Sequence, residues 1–387
     1  MMQELAKELS FKGHDVTVAT AWPQSNLSLE GKAGLRPVSL ENGVRVIRVK
    51  IPLLYNKNYI IRGITQLLMP RIIWSSIRKY LPKKINSVIV YSPPLPLTLI
   101  GSRIKKTYGA WFLLNIQDIF PQNAIDLGIM RNPLLIRFFE SLEKKSYVYA
   151  DQMTSHSESS RKFLIETKGV PEGKIHTVPN WIDLGSFKKV QRSNSFRKEY
   201  GLEDKFVFLF AGIIGPSQGL NLIIDIAKEL KGISDICFLL VGEGTEKEKL
   251  KTMAESYGLN NVLFKPLVPA EKFPELVKDA DVGLVCLSSM NKTPVVPGKL
   301  LGYMAAGIPI VAFLNKESDG HALIRKAKCG YSMNSDSSSE RSKEMIIRIY
   351  NERGHLHEYG KAGLDYVSRY FSREACLNKL ISLIHSY

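Results

Sequence analysis

Three glycines lie in a short turn between an apolar stretch and an amphipathic stretch in the second half of the chain. The segment reads FLFAGIIGPSQGLNLIIDIAKEL over residues 208–230 and contains Gly212, Gly215 and Gly219. A glycine turn between a strand and a helix points backbone N–H groups and the positive end of the helix dipole at one place, which suits a pyrophosphate. The spacing matches neither G-x-G-x-x-G nor a P-loop, and the turn has no Lys or Arg. On spacing alone, a phosphate site and a purely structural turn both stay open.

Two further segments place candidate binding residues after apolar runs. In LLVGEGTEKEKL, Glu243 stands between Gly242 and Gly244, and in VPGKLLGYMAAGIPIVA, Lys299 stands two residues after Pro297 at the start of a helical pattern. Ligands of parallel sheets bind outside the carboxyl ends of the strands, where both glycine turns would lie. The structural alternatives are a simple strand-to-helix turn for the glycine pair and a solvated surface side chain for the lysine.

The elements that must position these residues alternate regularly. In the second half, β-rich runs such as KFVFLFAG, ICFLLVGEG and VLFKPLV each precede a helical pattern; in the first half, HDVTVAT, SVIVYS, AWFLLNIQD and QMTSHSE do so. This alternation predicts parallel sheets wrapped by helices. We expect an α/β protein with two doubly wound domains, residues 1–185 and 186–370, joined within VPNWIDLGSFKKVQRSNS. A helix in residues 371–387 follows and can cross back to the first domain.

The composition excludes several other classes of protein. The chain has 387 residues and 44% hydrophobic content, enough for two cores, and its four cysteines are far apart, which argues against a disulfide framework or a zinc site. The first residues alternate charged and apolar side chains and do not form a signal peptide. The uncharged run of residues 85–102 contains three prolines in YSPPLPLTL, so we interpret it as strand, loop and helix start rather than a membrane span.

Positive charge is concentrated in the first half of the chain. The formal net charge is +16; residues 1–185 contain 25 basic and 14 acidic side chains, and residues 186–387 contain 28 and 23. Residues 42–117 contain 13 Lys or Arg and no Asp or Glu. Such a stretch favours an anionic partner: acidic phospholipid, nucleic acid or a phosphorylated substrate.

The order of the motifs resembles that of a known enzyme family. LFAGIIGPSQGLNLII, LLVGEGTEKEKL, LFKPLVPAEKFPELVKDADVGLVCL and VPGKLLGYMAAGIPIVA follow one another as in the C-terminal domain of retaining glycosyltransferases of family 4, which have the GT-B fold, two Rossmann-like domains facing a cleft. YSPPLPLTLIG, NIQDIFPQNAIDLGIM, ADQMTSHSES and HTVPNWID resemble the branch that assembles surface polysaccharide and O-antigen. The resemblance covers nearly the whole chain.

The resemblance implies transfer of a hexosyl or N-acetylhexosaminyl group, with retention and without a metal or other cofactor, from a nucleotide sugar, expected to be UDP-linked, to a lipid-linked saccharide. The GIIGPSQG turn would wrap the donor pyrophosphate, VGEG would approach the nucleoside, and VPGKLLGY would line the sugar and ribose. The implied donor-binding residues are Gly212, Gly215, Gln218, Gly219, Gly242, Glu243, Pro297, Gly298, Leu300 and Tyr303. Lys299 would neutralise the leaving phosphate, since developing negative charge needs a fixed positive partner.

Two residues of the first half have a functional and a structural interpretation. Asp118 in NIQDIF could accept or orient the proton of the acceptor hydroxyl, or it could cap the following turn. His156 in TSHSES is interpreted as a core or strand-end histidine. The chain also departs from the family pattern: Pro294 and Gly302 stand where many members have two glutamates, and Ile213 and Gln218 stand where many have Arg and Lys.

The expected partners include an anionic membrane surface and no nucleic acid, because the chain has no motif that stacks bases. Trp74 and Tyr80 are interleaved with Arg71, Arg78 and Lys79, which fits a cytoplasmic enzyme held peripherally at the inner face of the plasma membrane. Alternatively these aromatics belong to the core. Two other functions stay open: a catalytically impaired glycosyltransferase-like protein, favoured by the absent glutamates, and a nucleotide-sugar epimerase on the same scaffold.

The chain opens directly on a helical pattern, whereas in the family a strand and a glycine-rich loop come first. We therefore expect an N-terminally shortened form that would gain stability from roughly 15–25 more residues, about one strand and its loop. Without that strand, HDVTVAT must pair directly with SVIVYS or leave buried backbone groups unpaired.

Overall fold

The chain folds into two compact units. The structure, a computed structural model, describes residues 2–23, 34–52 and 59–385. The first unit comprises residues 1–179 and 377–387, and the second comprises residues 180–376. The last helix, Arg373–His385, begins in the second unit, and its residues from Leu377 onward belong to the first.

The first unit begins with a small sheet. After helix α1 (Met2–Phe11), strands β1 (Thr17–Ala21), β2 (Val38–Glu41) and β3 (Val44–Val49) form a sheet of order β1-β3-β2, in which β1 is parallel and β2 antiparallel to β3. Asn42 and Gly43, with φ of 51° and 80°, make the tight turn between β2 and β3. Asn-Gly is the sequence preferred for such a turn, because both residues tolerate positive φ.

The pairing expected for the first predicted strand is therefore wrong. HDVTVAT contains all of β1 but its last residue, and within the described residues β1 pairs with β3, whereas SVIVYS, strand β4 (Ser87–Ser92), pairs with β5 (Trp111–Ile116). The hairpin partner β3 was absent from the predicted strands, so the backbone groups of β1 were expected to need β4.

The remaining strands of the first unit form a parallel sheet of order β4-β5-β6-β7. Its later strands are β6 (Gln152–Ser155) and β7 (Ile175–Thr177), and the helices of this unit are α2 (Tyr59–Ile77), α3 (Thr98–Tyr108), α4 (Gln122–Asp126), α5 (Pro133–Tyr149) and α6 (Glu158–Glu166). The run over residues 85–102 is strand, loop and helix start, as predicted. None of the helices that the structure describes is both long enough and apolar enough to cross a bilayer.

The second unit is built on a six-stranded parallel sheet of order β10-β9-β8-β11-β12-β13. In chain order its strands are β8 (Phe206–Ala211), β9 (Ile236–Val241), β10 (Val262–Lys265), β11 (Val282–Cys286), β12 (Ile310–Leu314) and β13 (Gly330–Asn334). Its helices are α7 (Leu184–Lys188), α8 (Ser195–Tyr200), α9 (Asn221–Glu229), α10 (Lys247–Ser256), α11 (Phe273–Lys278), α12 (Gly298–Ala306), α13 (Gly320–Ala327), α14 (Ser339–Asn351) and α15 (Leu356–Tyr370). Numbered within the unit, this order is 3-2-1-4-5-6, so it reverses between β8 and β11. A crevice for a ligand opens at the carboxyl ends of such a strand pair.

Both faces of this sheet are buried, which explains its apolar strands. Along β8, Val207 and Leu209 join one hydrophobic cluster, and Phe208 and Phe210 join the cluster on the opposite face. Successive side chains of a strand point to opposite faces, so a strand covered on both sides reads as a continuous apolar run. The side chains packed on both faces therefore hold the strands, and with them the turns that follow the strand ends, in place.

A buried polar network fixes the start of the second unit. Asp279 is 3% exposed, and its carboxylate accepts the backbone N–H groups of Ser193, Asn194 and Phe196 at 2.8–3.2 Å. The guanidinium of Arg197 donates to the Asp279 carbonyl at 2.7 Å and pairs with Asp281. Asp279 therefore supplies the acceptors that the first turn of α8 needs.

Candidate functional site

The glycine-rich turn lies at the point where the strand order of the second unit reverses. It follows β8 directly, and the Ser217 carbonyl accepts the N–H of Ser288, two residues after β11, at 2.9 Å. Gly219 has a φ of 59°, and a Cβ added there would lie 3.0 Å from the Cα of Ser288. Only a residue without a side chain allows this approach together with this backbone conformation.

The turn also interlocks with the VGEG turn after β9. The N–H groups of Gly212 and Ile214 donate to the carbonyls of Val241 and Glu243, each at 2.9 Å. A Cβ on Gly242 would lie 1.8 Å from the Gly212 carbonyl oxygen. Gly244 is equally crowded, because a Cβ there would lie 2.0 Å from the Ile214 carbonyl oxygen. Gly242 and Gly244, in the segment predicted to approach a nucleoside, are therefore both required by the packing of the two turns.

Two backbone N–H groups of the turn make no hydrogen bond to protein within the part of the chain that the structure describes. They belong to Ile213 and Gly215. Unpaired N–H groups in a turn that leads into a helix, here α9, form a site with partial positive charge. The turn thus has the donors that an anion needs.

Lys299 lies beside this turn, in the first turn of α12. Its ammonium donates to the Gln218 side-chain oxygen at 2.8 Å and lies 4.6 Å from the ring centre of Phe210. A Cβ on Gly212 would lie 2.9 Å from the lysine Cε. The structure therefore brings together Gly212, Gln218 and Lys299, three residues predicted for one site. Phe210 was not predicted, although the alternation along β8 indicates which face its ring occupies.

The environment of Lys299 favours an anionic ligand. Burial lowers the pKa of its ammonium to about 8, against a small opposing effect of Cys286. Within the described residues no carboxylate pairs with it. A lysine that is partly stripped of water and lacks a counter-ion regains stabilising interactions when a phosphate binds.

The residues around Lys299 divide into exposed and buried ones. Pro297 precedes α12, and Gly298 is exposed, with open space where its Cβ would be. Leu300 and Tyr303 are fully buried, and the Tyr303 hydroxyl donates to the carbonyl of Leu209 at 3.0 Å. Their side chains lie in the core and offer no surface to a ligand, and their predicted role in donor binding stays a prediction.

Other predicted residues of the second unit have structural partners. The exposed carboxylate of Glu243 pairs with the buried ammonium of Lys247 at 2.7 Å. A Cβ on Gly302 would lie 3.2 Å from the ring of Phe273, so an aromatic ring adjoins the position where the family often has a glutamate. Within the described residues no group of three or more His, Cys, Asp or Glu side chains could hold a metal ion.

Asp118 lies in the first unit, two residues after β5. Its carboxylate is exposed and accepts no hydrogen bond within the described residues, whereas its backbone carbonyl accepts the N–H of Phe120 at 3.1 Å. The surrounding protein removes part of its hydration and raises the pKa of the carboxyl group. The alternative prediction, a side-chain cap of the turn, is not formed. His156 follows β6 and is 6% exposed, which confirms it as a strand-end histidine of the core.

Two family models match the chain, one in each half. Residues 1–181 match a glycosyl transferase 4-like domain, and residues 192–365 match the glycosyl transferases group 1. The second match contains both glycine turns and Lys299, so the candidate phosphate site lies inside it, whereas Asp118 lies inside the first match.

Curated relatives of both domains are similar in sequence. One relative is WcaI of Escherichia coli (strain K12), which is named as a colanic acid biosynthesis glycosyl transferase. It is 30% identical to this chain over 237 residues, which cover 59% of this chain and 57% of WcaI. A UDP-N-acetylglucosamine–N-acetylmuramyl-(pentapeptide) pyrophosphoryl-undecaprenol N-acetylglucosamine transferase of Caldicellulosiruptor saccharolyticus is 24% identical over 271 residues, 67% of this chain and 62% of that protein. The chain thus spans less than two thirds of each relative.

Solved structures share the fold over the whole chain. Sucrose-phosphate synthase of Thermosynechococcus elongatus has a TM-score of 0.76 at 15% identity, covering 100% of this chain and 92% of that chain. Anabaena HepE in complex with UDP-glucose has a TM-score of 0.69 at 15% identity, covering 100% and 95%. At these identities the likeness shows the fold alone, and it confirms the predicted class of two Rossmann-like domains.

Proposed function

We propose that the chain, which has the GT-B fold and matches a glycosyl transferase 4-like domain followed by a group 1 domain, is a glycosyltransferase that moves a hexosyl or N-acetylhexosaminyl group from a UDP-linked donor to a lipid-linked saccharide, with retention. The bond between the anomeric carbon and the donor phosphate breaks, and a bond from that carbon to an acceptor oxygen forms. The acceptor hydroxyl loses its proton, and UDP leaves. The product extends a surface polysaccharide.

One observation carries this proposal: the turn after β8, with its unpaired N–H groups, and the Lys299 ammonium lie next to each other in the second unit. A pyrophosphate has oxygens enough to accept several N–H groups and an ammonium at once. In this binding mode the Gly215 N–H group and the turn that leads to Gly219 hold the phosphates, and Lys299 exchanges its bond to Gln218 for one to a phosphate oxygen. The positive end of α9 adds to the attraction.

Lys299 is then the group that stabilises the departing UDP. Negative charge grows on the phosphate oxygen as the anomeric carbon leaves it, and a fixed ammonium stabilises that state more than the ground state. Its side chain is held over the ring of Phe210, so little reorganisation is needed at that moment. Transfer on this scheme needs no metal, because the protein supplies the positive charge itself.

Asp118 is proposed to act on the acceptor. Its exposed carboxylate follows a strand end of the first unit and is engaged by no protein donor there within the described residues. The raised pKa indicates a carboxylate that gains stability from accepting a proton or a hydrogen bond. In this scheme it orients the acceptor hydroxyl and receives its proton.

The choice of substrates rests on relatives. The Caldicellulosiruptor relative is named for a UDP-sugar donor and a pyrophosphoryl-undecaprenol acceptor, and HepE was solved with UDP-glucose. A diphosphate lipid acceptor is itself anionic and suits the basic first half of the chain. We propose accordingly that the protein works at the cytoplasmic face of the plasma membrane, in contact with anionic lipid.

The test is a panel of UDP-sugars and other nucleotide sugars incubated with the full chain, with release of nucleoside diphosphate measured with and without a polyprenyl-diphosphate saccharide. We expect release only when a UDP-sugar and the acceptor are both present, and an axial or equatorial product linkage that matches the donor. UDP binding without any transfer to any acceptor would instead favour the impaired protein, and conversion of the sugar without release would favour the epimerase.

A further inference from the structure

Helix α5 of the first unit turns an unusually apolar face to solvent. Leu134, Phe138 and Val148 are 75%, 50% and 66% exposed, and Leu135 and Tyr149 are exposed as well. The buried positions of the helix are Phe139, Leu142, Glu143, Ser146 and Tyr147, which lie on its other side. At the helical repeat, Leu134, Phe138 and Val148 fall on one stripe opposite that buried side.

Basic side chains share this outward face. Arg137, Lys144 and Lys145 are exposed on α5 beside the three apolar residues, and Arg131 precedes the helix. The acidic residues of α5 lie elsewhere: Glu143 is buried and pairs with Lys168 at 3.1 Å, and Glu140 lies towards the edge of the face. The face is therefore apolar and positively charged at once.

Helix α2 also exposes apolar side chains. Leu67 of α2 packs on the small cluster that includes Phe139 and Leu142 on the buried side of α5. Ile64 and Leu68 of α2 are 54% and 45% exposed. Clustered apolar surface of the kind that α5 presents marks an interaction site.

We propose that the outward face of α5 lies in the headgroup region of an anionic membrane. This rests on the proposed function only in that a lipid-linked acceptor requires a membrane. A helix of 17 residues is about 25 Å long and can lie flat in the membrane interface. Its apolar side chains then reach the boundary between headgroups and acyl chains, and its basic side chains contact the lipid phosphates. A nucleic acid would use the charges but not the leucines.

The first test measures co-sedimentation of the full chain with vesicles, without donor or acceptor, so that its result does not depend on catalysis. Vesicles of phosphatidylcholine and phosphatidylglycerol in equal parts should bind the chain, vesicles of phosphatidylcholine alone should bind it far less, and salt should weaken the binding. The variant Leu134→Ser/Phe138→Ser/Val148→Ser should lose about ten-fold or more in affinity, because three inserted side chains are gone. Arg137→Ser/Lys144→Ser/Lys145→Ser should lose the salt dependence.

The matched control is Phe11→Ser/Leu40→Ser, which removes two side chains that are 89% and 74% exposed in the small sheet region of the same unit. It should bind like the unmutated chain, and thermal melting should be alike for all variants. Equal loss in the control, undiminished binding by the α5 variant, or equal binding to both kinds of vesicle would each overturn the proposal.

A second readout locates the contact directly. All four native cysteines are buried, so a polarity-sensitive fluorophore can be attached to an introduced Phe138→Cys or, as control, Phe11→Cys. Anionic vesicles should shift the emission of the label at position 138 to shorter wavelength and leave the label at position 11 unchanged. An unchanged label at position 138 on bound protein would place the membrane contact elsewhere.

Discussion

The ammonium of Lys299 lies 2.8 Å from the side-chain oxygen of Gln218, although 81 residues separate the two in sequence. The contact joins the turn after β8 to the start of α12 across the point where the strand order reverses. The neutral amide oxygen accepts one hydrogen bond from the lysine ammonium but does not neutralise its positive charge. The site is therefore held in shape while its charge stays available to a ligand.

Lys299→Ala should reduce UDP affinity and cut turnover by roughly ten-fold or more, because a charge partner of the leaving phosphate is lost. Isothermal calorimetry with UDP and a steady-state transfer assay measure the two effects. Lys292→Ala, an exposed lysine between β11 and α12, is the matched control and should behave like the unmutated chain. Unchanged kinetics in Lys299→Ala would assign the lysine a purely structural role.

UDP affinity should fall as pH rises through about 8. The pKa of Lys299 in the free protein is lowered to about 8, so the ammonium that the phosphate needs is present below that pH and lost above it. The bound phosphate keeps Lys299 protonated in the complex, so binding takes up one proton when the pH is above about 8. The UDP affinity can therefore fall by at most about ten-fold per pH unit in that range. Titrations from pH 7 to 10 test this. Lys299→Arg keeps its charge throughout and should show a flat profile if it binds.

Gly242→Ala should destabilise the second unit and abolish UDP binding. The new Cβ would lie 1.8 Å from the Gly212 carbonyl oxygen, so the backbone of one of the two turns must move. Overpacking of this kind costs about 1–3 kcal/mol. Urea unfolding and UDP calorimetry measure both effects. Gly232→Ala, where a Cβ meets nothing within 4 Å, should change neither; a stable Gly242→Ala would contradict the close packing.

Asp118→Asn should leave UDP affinity unchanged and suppress transfer. The residue belongs to the first unit, whereas the proposed phosphate site is formed by residues of the second. The amide keeps the shape but cannot take the acceptor proton. Calorimetry and transfer rates should therefore separate, with the exposed Glu166→Gln as control. Normal transfer would remove Asp118 from the mechanism.

Asp279→Ala should lower the free energy of unfolding by about 3 kcal/mol or more, since three backbone N–H groups lose their buried carboxylate acceptor. Chemical denaturation measures this. Asp235→Ala, which removes an exposed carboxylate of the same unit, serves for comparison and should cost far less. If both variants cost the same, the network contributes little.

The sheet of the second unit was predictable because its strands are buried on both faces and its helices are amphipathic. Those two patterns need no knowledge of distant contacts. The first unit was harder. Its β2–β3 hairpin depends on Asn42 and Gly43, a local signal that was present in the sequence but not used, and the error in the pairing of β1 followed from that omission.

The site was predictable in part. The glycine spacing indicated a turn at a strand end, and Lys299 was expected to face it, but the contact between Lys299 and Gln218 arises only when β8 and β11 are neighbours. The burial of Leu300 and Tyr303 could have been anticipated, because their spacing of three places both on the core side of α12. The tight approach of Gly242 to Gly212 depends on tertiary geometry that no local pattern encodes.

The interlocked turns after β8 and β9 have a consequence for the time course of binding. Because backbone lies against backbone there, with no side chain between, the two turns have no room to shift independently. On the proposed function the backbone of the anion site is then in place before a nucleotide arrives, and only Lys299 has to exchange its bond to Gln218. Mixing the protein with UDP should give one exponential phase whose rate rises linearly with nucleotide concentration, without the plateau that a slow rearrangement would impose.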